Sequence, residues 1–593
     1  MADSSVYADS SPPCPDVILL PHTVESVKDR SLKLLADIFR ANSSTTFYRE
    51  ALHLHDLRNS GEDPLAADTV DTLYGIYRRT VPMMTYEDYR PFFTRFRDCA
   101  PVSEVKDLFA PGLPSFIAHS SGTSGGVPKR FAKYMRVPHG HRGCCAIMGT
   151  LKPTIPDGTL CIISSMTAKG VMVLTDSSGD PTARIMICTV SSGTARIHNG
   201  HDIMNDHRLL PVKVSNSTSP TATSFIPNFA SLMTIHALFA LADRQLAVIS
   251  GVFSTVVRDF YRVVEGRWEF LIQCIEDGII PDLEGLGELR GHLQAHFSPN
   301  VQRAEELRTI DRDAANAGWL KRVWPNLRRV VATSSGAYAT VMPELRHYFG
   351  PQVEIRSLGI TSTESYYALP YHPLDGERFR ICDTGDFVEF LPLGVDQPSL
   401  IKGQWEVTTG EAYEIILTTR DGLWRYRLGD IVTVIGFDPR DGQPIIRFTG
   451  RSSSDFRLAH TVIPEKEVLA AVRAVEQWTG TIAEFTATAD HRSFASCHGF
   501  FIEVQGELLP EASRAPEALK KHLCSINMNY AGDIERGLVG SPTIRVVRQG
   551  TFTEYRAWKA QQLGSGFGQI KIPTVTWDEG LIKWLEERVV TEL

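Results

Sequence analysis

Short apolar runs alternate with helical patterns from about residue 112, and this alternation limits the fold more than any other feature of the sequence. The runs predicted as buried strands are "TLCIISS", "ARIMICTV", "QLAVISG", "LRRVVATSSG" and "VEIRSLGIT". Between them, "STVVRDFYRVVEGRWEFLIQCIEDG" is predicted to form one long amphipathic helix, and "ATVMPELRHYFG" another. Strands that alternate with helices predict an α/β fold with largely buried sheets. Residues 380–450 are predicted to be mainly β, with runs such as "FVEFLPL" and "IVTVIGF".

The longest apolar stretch runs from Phe229 to Phe253 and contains His236, Asp243 and Arg244. A charge at the centre of a bilayer costs a few kcal/mol, so a membrane span is not expected here. The sequence instead predicts two buried elements with a short turn at Asp243–Arg244.

Three regions are predicted along the chain. Residues 1–20 are acidic and rich in Ser and Pro, which predicts disorder and excludes a signal peptide. Residues 21–452 form a large N-terminal domain with α/β subdomains and a β-rich part, and Thr85 is predicted to cap a helix that begins at Tyr86. Residues 453–593 form a smaller, mobile α+β C-terminal domain. The segment "GRSSSDF", residues 450–456, is a predicted hinge before a helix at "PEKEVLAAVRAVEQWTG".

Composition excludes several classes of protein. The net charge of −8 argues against a nucleic-acid surface, which is normally basic. The ten cysteines show no Cys-x-x-Cys spacing, so a structural zinc site is not expected. Scattered cysteines in a large chain are typical of reduced thiols and predict a cytoplasmic protein. The oligomeric state is not encoded in any visible pattern, and a monomer is the default expectation.

The segment "HSSGTSGGVPKR", residues 119–130, combines hydroxyl side chains, three glycines and Lys129. It is not a Walker A loop, because Pro128 precedes the lysine and Arg130 follows it where a Ser or Thr is needed. Hydroxyls, flexible backbone N–H groups and a lysine charge can nevertheless hold phosphate. The alternative is a flexible Ser/Gly surface loop.

Three further segments carry candidate site residues, each with an ordinary structural alternative. In "GITSTESYYALP", Glu364 is a candidate magnesium ligand beside hydroxyls, the alternative being a helix N-cap pair. In "WRYRLGDIVTVIGF", Asp430 is a candidate partner for a ribose diol, the alternative being a turn before a strand. In "LGSGFGQIKIPTV", Lys571 follows a glycine-rich loop, the alternative being an ordinary exposed lysine.

The order of these segments resembles the acyl-adenylate-forming superfamily, and their details resemble its Gretchen-Hagen branch of acyl acid amido synthetases. "VPMMTYEDYRPF", "SSGTSGGVPK", "VWPNLRRVVATSSGAYATVMPEL", "GEAYEIILTTRDGLWRYRLGD" and "QIKIP" are similar to motifs of that family in the same order. The resemblance extends from about residue 40 to the end of the chain. It implies the two-domain adenylate-forming fold, with ATP and Mg2+ as cofactors.

The resemblance also implies roles for individual residues. Phosphate binding would fall to Ser121, Gly122, Thr123, Ser124 and Lys129, and Thr363 and Glu364 would lie beside the phosphates and magnesium. Asp430 would hold the ribose with help from Arg451, and the adenine would lie against Ser335, Gly336, Ala337 and Tyr338. Lys571 would arrive with the C-terminal domain and neutralise the reacting carboxylate and α-phosphate.

Two departures from the family pattern bear on function. The family's Ala-Ser-Ser-Glu appears here as Thr361-Ser362-Thr363-Glu364, which keeps the hydroxyls. Its Lys-Thr-Pro-Arg appears as Lys571-Ile572-Pro573-Thr574, without the arginine.

Three functional hypotheses follow. The first is an ATP-dependent ligase that joins a small carboxylic acid to an amino acid or another amine, without nucleic-acid or membrane partners. The second is an acyl-CoA or other thioester-forming ligase, and the third is an inactive scaffold that binds a small acid. The acyl pocket would draw on "GTLCIISSM" and the helix at residues 251–265. Arg258 of that helix is a candidate carboxylate partner, the alternative being a solvated helix face.

Overall fold

The structure is a computed structural model that describes residues 19–60, 69–120, 129–134, 157–312, 317–372, 374–382, 385–451, 456–458, 461–493, 495–563 and 570–593. The prediction of disorder for residues 1–20 therefore falls almost wholly outside the described residues. The α-helices run over Pro21–Asn42, Thr46–Glu50, His55–Arg58, Val70–Thr80, Tyr86–Phe93, Val102–Val105, Val190–His198, Asp206–Leu209, Phe229–Ala242, Ser254–Gly266, Trp268–Asp277, Leu289–Gln294, Val301–Arg308, Trp319–Val323, Met342–Phe349, Glu465–Thr479, Ala515–Ile526, Met528–Glu535, Thr551–Leu563 and Glu579–Glu586.

Two sheets belong to the α/β part of the molecule. One is parallel throughout, with its strands in the order Thr159–Ile163, Leu246–Phe253, Arg329–Thr333 and Glu354–Arg356. The other is mixed, in the order Ala100–Pro101, Gly170–Thr175, Pro181–Cys188, Phe116–His119 and Arg130–Lys133. Helices connect successive strands of the parallel sheet, as the alternating sequence pattern predicts.

The β-rich segment forms a seven-stranded antiparallel sheet. Its strands lie in the order Ile360–Thr361, Tyr366–Pro370, Arg378–Ile381, Pro444–Arg451, Tyr426–Phe437, Ala412–Thr418 and Phe387–Pro392. One face packs on the N-terminal helices in a single hydrophobic core. The prediction of a mainly β region for residues 380–450 is confirmed.

The C-terminal part has a ribbon of Phe456–Leu458 and Thr461–Ile463 and a four-stranded sheet with its own core. The strands of that sheet lie in the order Ile482–Asp490, Cys497–Val504, Thr543–Val547 and Val589–Glu592. Its helix Thr551–Leu563 instead joins the core of the parallel-sheet region, through Phe552 and Tyr555. The predicted helix after the hinge is present, and the predicted hinge residues 452–455 lie outside the described residues.

The apolar stretch from Phe229 forms a buried helix, Phe229–Ala242, and a buried strand, Leu246–Phe253, as predicted. None of the described helices combines the length and the apolarity that crossing a bilayer requires. The cap at Thr85 is also confirmed, since its backbone N–H donates to the Asp88 carboxylate at 2.6 Å and the helix begins at Tyr86.

The prediction of one long helix from residue 254 to 278 is wrong, because the chain breaks between Gly266 and Trp268. The second helix turns so that Trp268 is buried edge-to-face against Trp319, with ring centroids 5.8 Å apart. The apolar spacing continues across the break, so the pattern alone carries no sign of it.

Three buried histidines make the stability of the fold sensitive to acid. Burial lowers the pKa of His119 and His236 to about 4 and that of His498 to about 3. The unfolded chain therefore takes up protons below pH ~6.5 that the folded chain refuses, and each histidine reduces stability by about 1.4 kcal/mol per pH unit in that window.

We expect the thermal midpoint to fall as the pH is lowered from 7 to 4.5. Buried carboxyls with raised pKa values, such as Glu503, oppose this trend, because they take up protons more readily in the folded chain. Comparing the wild type with His498→Gln therefore isolates the contribution of one histidine. That variant should show a shallower dependence on pH than the wild type. An identical dependence in both proteins would contradict the prediction.

Candidate active site

The segment that carries the Ser/Thr/Gly loop leaves one strand and enters its antiparallel neighbour, where His119 is opposite Arg130. Two hydrogen bonds close the base of the loop: the Ser120 N–H donates to the Lys129 carbonyl at 2.8 Å, and the Lys129 N–H donates to Ser120 Oγ at 2.9 Å. Ser121, Gly122, Thr123 and Ser124 lie outside the described residues. The structure thus fixes the two ends of the predicted phosphate loop.

Lys129 is half-buried at the mouth of this loop, with its ammonium 5.5 Å from the centre of the Tyr86 ring. Burial lowers the pKa of Lys129, and the Glu364 carboxylate partly offsets that effect. The two predicted site residues are therefore close enough to interact, although 235 positions separate them in sequence.

Glu364 and Thr363 lie in a tight turn between the strands Ile360–Thr361 and Tyr366–Pro370. Ser362 Oγ accepts the N–H groups of Glu364 and Ser365 at 3.2 and 3.1 Å and so shapes the turn. The alternative of a helix N-cap is wrong, because no helix follows. Glu364 is 7% exposed, and its carboxylate accepts a 3.3 Å hydrogen bond from the Tyr426 hydroxyl.

Lys133 supports this turn from the neighbouring sheet, a role that no sequence signal marks. Its buried ammonium donates to the Glu364 carbonyl and to the Asp421 carboxylate, each at 2.8 Å. The other Asp421 oxygen accepts the Tyr134 N–H at 2.9 Å. The turn is thus held by a buried ion pair as well as by its own hydroxyls.

Asp430 lies inside a long strand, directly opposite Arg451 of the adjacent strand, so the turn predicted as its alternative is wrong. Gly429 before it has φ of +83°, a left-handed conformation that favours glycine. Arg451 Nε lies 2.6 Å from one Asp430 oxygen, and the Tyr367 hydroxyl donates to the other at 2.9 Å. The carboxylate keeps lone pairs free for further donors, since each oxygen accepts two.

Tyr338 belongs to a short 3-10 helix, Gly336–Val341, that begins just after Ser335 at the end of a parallel strand. Its ring stacks on Phe253 with centroids 4.4 Å apart and planes 10° from parallel. The side-chain surroundings of Gly336 and Ala337 lie outside what the structure describes. The strand ends of the parallel sheet thus present an aromatic pair, which is where open α/β sheets bind ligands.

Lys571 approaches this pair from the C-terminal part. Its ammonium lies 5.2 Å from the centre of the Phe253 ring and 5.3 Å from that of Tyr338. The pKa of Lys571 is lowered to about 8, chiefly by burial and also by Arg451, while the carboxylates of Asp430, Glu465 and Glu364 act in the opposite direction. Lys571 is therefore not an ordinary exposed lysine but part of one charged cluster with the residues predicted to hold ATP.

Arg258 is not on a solvated helix face, since its side chain is 0% exposed. Its guanidinium pairs with Asp259 at 3.1 Å and with Glu484 of the C-terminal sheet. Arg556 completes the group, with Glu484 at 2.5 Å and Asp259 at 3.2 Å. We call these four side chains the interdomain ion cluster. Within it, Arg258 is paired with two protein carboxylates, so its guanidinium is not available to bind the carboxylate of a substrate.

Comparison with protein families gives three consecutive matches along the chain. Residues 20–354 match the GH3 family N-terminal domain, residues 379–451 the GH3 family central domain, and residues 466–579 the GH3 family C-terminal domain. The chain belongs to the GH3 family. This is the Gretchen-Hagen family that the ordered motifs resemble, so that resemblance is confirmed.

Named GH3 relatives are similar to the chain over most of its length. It is 25% identical to an indole-3-acetic acid-amido synthetase, GH3.8, from Oryza sativa subsp. indica, over 90% of this chain and 88% of the relative. It is 24% identical to a 4-substituted benzoates-glutamate ligase, GH3.12, from Arabidopsis thaliana (97% and 96%), and to a jasmonoyl-L-amino acid synthetase, JAR6, from Nicotiana attenuata (80% and 81%).

Among solved structures, the GH3.15 acyl acid amido synthetase superposes with a TM-score of 0.75 at 21% identity, covering 96% of each chain. The GH3 fold predicted from the sequence, a large N-terminal α/β portion with a β-rich part and a smaller C-terminal portion, is therefore confirmed. Sequence reasoning missed the residues that support the GH3 site: Tyr367, Tyr426, Lys133, Asp421 and Glu465. Four of them are at least 62 positions from the residue that they support, and Glu465, whose carboxylate accepts the Arg451 N–H at 3.1 Å, is 14 positions away.

Proposed function

We propose that this GH3 protein is an ATP-dependent ligase that converts a small carboxylic acid to an acyl-adenylate and transfers the acyl group to an amino acid or another amine. The observation that carries the proposal is the position of Lys571, which enters one charged cluster with Glu364, Asp430 and Arg451. The names of the relatives, amido synthetases and an acid–amino acid ligase, support the amine as acceptor.

In the first step a carboxylate oxygen attacks the α-phosphorus of ATP. The bond from that phosphorus to the bridging oxygen breaks, and its electron pair leaves with pyrophosphate. Both reactants are anions, so the site must supply positive charge where the transition state gathers negative charge. Lys571 would serve the carboxylate and α-phosphate, and Lys129 the departing pyrophosphate.

The remaining site residues bind and orient ATP in this proposal. Ser121, Gly122, Thr123 and Ser124 would donate to the phosphates, and Thr363 would lie beside them. Asp430 would accept the ribose hydroxyls, with Arg451 fixing its orientation. Ser335, Gly336, Ala337 and Tyr338 would line the adenine.

Membership of the family implies that magnesium is used, and the carboxylate oxygens of Glu364 are suitable ligands for that ion. Among the described residues, no group of three or more His, Cys, Asp or Glu side chains is placed to hold a metal ion. Magnesium typically takes one or two carboxylates and completes its shell with phosphate oxygens and water. Glu364 would be the protein ligand, and the bound ion would add positive charge at the phosphates.

In the second step the amine nitrogen attacks the adenylate carbonyl, the new C–N bond forms and AMP leaves with the electron pair of the broken C–O bond. In this proposal the N-terminal domain comprises residues 21–452 and the mobile C-terminal domain residues 453–593. The hinge between them lies at residues 452–454. Rotation there would exchange Lys571 for the groups that the second step needs. A monomeric, cytoplasmic protein remains the expectation from sequence.

Carboxylate-dependent ATP–pyrophosphate exchange tests the proposal. A panel of aromatic, oxylipin-like and short aliphatic acids is assayed without amine, and we expect exchange with one class of acid. Mass spectrometry of products formed with amines or with CoA then separates an amide ligase from a thioester-forming ligase. Measurable ATP binding without exchange for any acid would favour the binding scaffold.

A further inference from the structure

Thr574 stands where the family motif has arginine, three residues after Lys571, and its side chain has a defined partner. It is 3% exposed, and its hydroxyl donates to one oxygen of the Glu465 carboxylate at 2.6 Å. The arginine is therefore replaced by a short, buried hydrogen bond rather than by an empty position.

The other Glu465 oxygen contacts a residue on the N-terminal side of the predicted hinge. It accepts the backbone N–H of Arg451 at 3.1 Å, and Arg451 is the residue whose guanidinium pairs with Asp430. Glu465 opens the first helix of the C-terminal part and is itself 8% exposed. One carboxylate thus connects the segment that carries Lys571 to the pair predicted to hold ribose.

The backbone on the Lys571 side of this connection is already fixed to the C-terminal sheet. The Ala487 N–H donates to the Thr574 carbonyl, and the Thr576 N–H donates to the Ala487 carbonyl, both at 2.8 Å. The Thr486 hydroxyl donates to the Pro573 carbonyl at 2.7 Å. The Thr574 hydroxyl is therefore not needed to hold this backbone on the sheet, and its hydrogen bond goes to Glu465 instead.

We propose that Glu465 and Thr574 are positioning residues that hold Lys571 in register with the Asp430–Arg451 pair during acyl-adenylate formation. This inference rests on the proposed function, and neither residue touches the reacting atoms. Because adenylation requires the Lys571 charge at one place, a displacement of about 1 Å is enough to slow that step about 10²-fold. The second step, in which the C-terminal domain has rotated, does not require this register.

The test is Thr574→Val, which keeps the shape of the side chain and removes the hydroxyl. We expect kcat for carboxylate-dependent exchange to fall about 10- to 100-fold, with little change in KM for ATP. Amide formation from separately prepared acyl-adenylate and amine should keep the wild-type rate. Thr574→Ser restores the hydroxyl and should restore exchange, whereas Glu465→Gln removes an acceptor and should match Thr574→Val.

Thr461→Val is the matched control. Thr461 is equally buried in the C-terminal part, and its hydroxyl donates to the Asp533 carboxylate at 2.8 Å, far along the chain from Lys571. The Thr461→Val variant should keep the wild-type exchange rate. If it lost as much activity as Thr574→Val, both losses would reflect a general effect on stability, and the proposal would be overturned.

Three other outcomes would also overturn it: wild-type exchange in Thr574→Val, equal slowing of both steps, or no recovery in Thr574→Ser. Absence of exchange in the wild type with every acid would instead count against the proposed function. Loss of exchange in Lys571→Ala, with full activity in Thr574→Val, would retain that function and reject the positioning role.

Discussion

Replacing Lys571 with alanine is expected to lower the rate of acyl-adenylate formation about 10²- to 10³-fold, the usual cost of losing one preorganised group that stabilises transition-state charge. The ammonium lies against the Phe253 and Tyr338 rings and senses the charges of Asp430, Glu364 and Arg451. No other described lysine combines these contacts. ATP–pyrophosphate exchange measures the loss, and an unchanged rate would remove Lys571 from the site.

The same residue should leave a signature in the pH profile. Its pKa of about 8 means that the ammonium is lost as the pH rises through 8. The kcat/KM for adenylation, which reports on the free enzyme, should therefore fall on the alkaline side of pH 8. Lys571→Arg stays charged and should lose that alkaline decline. Lys559→Ala, which disrupts a peripheral pair with Asp578, serves as the control and should retain wild-type behaviour.

Replacing Glu484 with alanine is expected to destabilise the contact between the C-terminal sheet and the helix Ser254–Gly266 by about 3–5 kcal/mol, since it leaves buried charge unpaired. Glu484 pairs with both Arg258 and Arg556, and only Asp259 would remain to compensate two guanidiniums. The two arginines hold the pKa of Glu484 at about 2, against the opposing effect of burial, which shows how strongly they favour its charge.

Hydrogen exchange of the amides in the helix Ser254–Gly266 measures this effect directly. Protection should fall by a factor between about 10² and about 4 × 10³, at about 1.4 kcal/mol per factor of ten. Glu511→Ala is the control, because the Glu511–Arg514 pair is exposed and such pairs contribute about 1 kcal/mol or less. Unchanged protection in Glu484→Ala would show that the cluster does not hold the two parts together.

Local sequence patterns predicted much of the strand and helix order and the short turn at Asp243–Arg244 between a buried helix and a buried strand. The residues that share a charged cluster with Lys571 were predicted from the ordered resemblance to the family, not from any one segment. Local patterns failed at residues 254–278, where burial of Trp268 redirects a chain whose apolar spacing stays regular. The alternative interpretation of Asp430 as a turn residue also failed, because Gly-Asp is ordinarily a turn signal and only the sheet register reveals that Asp430 lies opposite Arg451.

Local patterns could not identify the residues that support the site, because their partners lie far away in the sequence. Lys133 and Asp421 are 288 positions apart, and Arg258 and Glu484 are 226 apart. Nothing near any of these residues distinguishes it from an ordinary surface charge. Arg258 in particular looked solvated because Glu484, one of the two carboxylates that pair with it, comes from another part of the chain.

The interdomain ion cluster has a symmetry that bears on how the two parts separate. Arg258 and Asp259 belong to one side, Glu484 and Arg556 to the other, and each side pairs its own cation with its own anion. Parting them divides a four-membered ring into two self-neutralised dipoles, with no net charge left on either face. The attraction between two such dipoles falls off with distance faster than the attraction between two net charges, so most of the electrostatic work of separating the two sides is done over the first few ångströms.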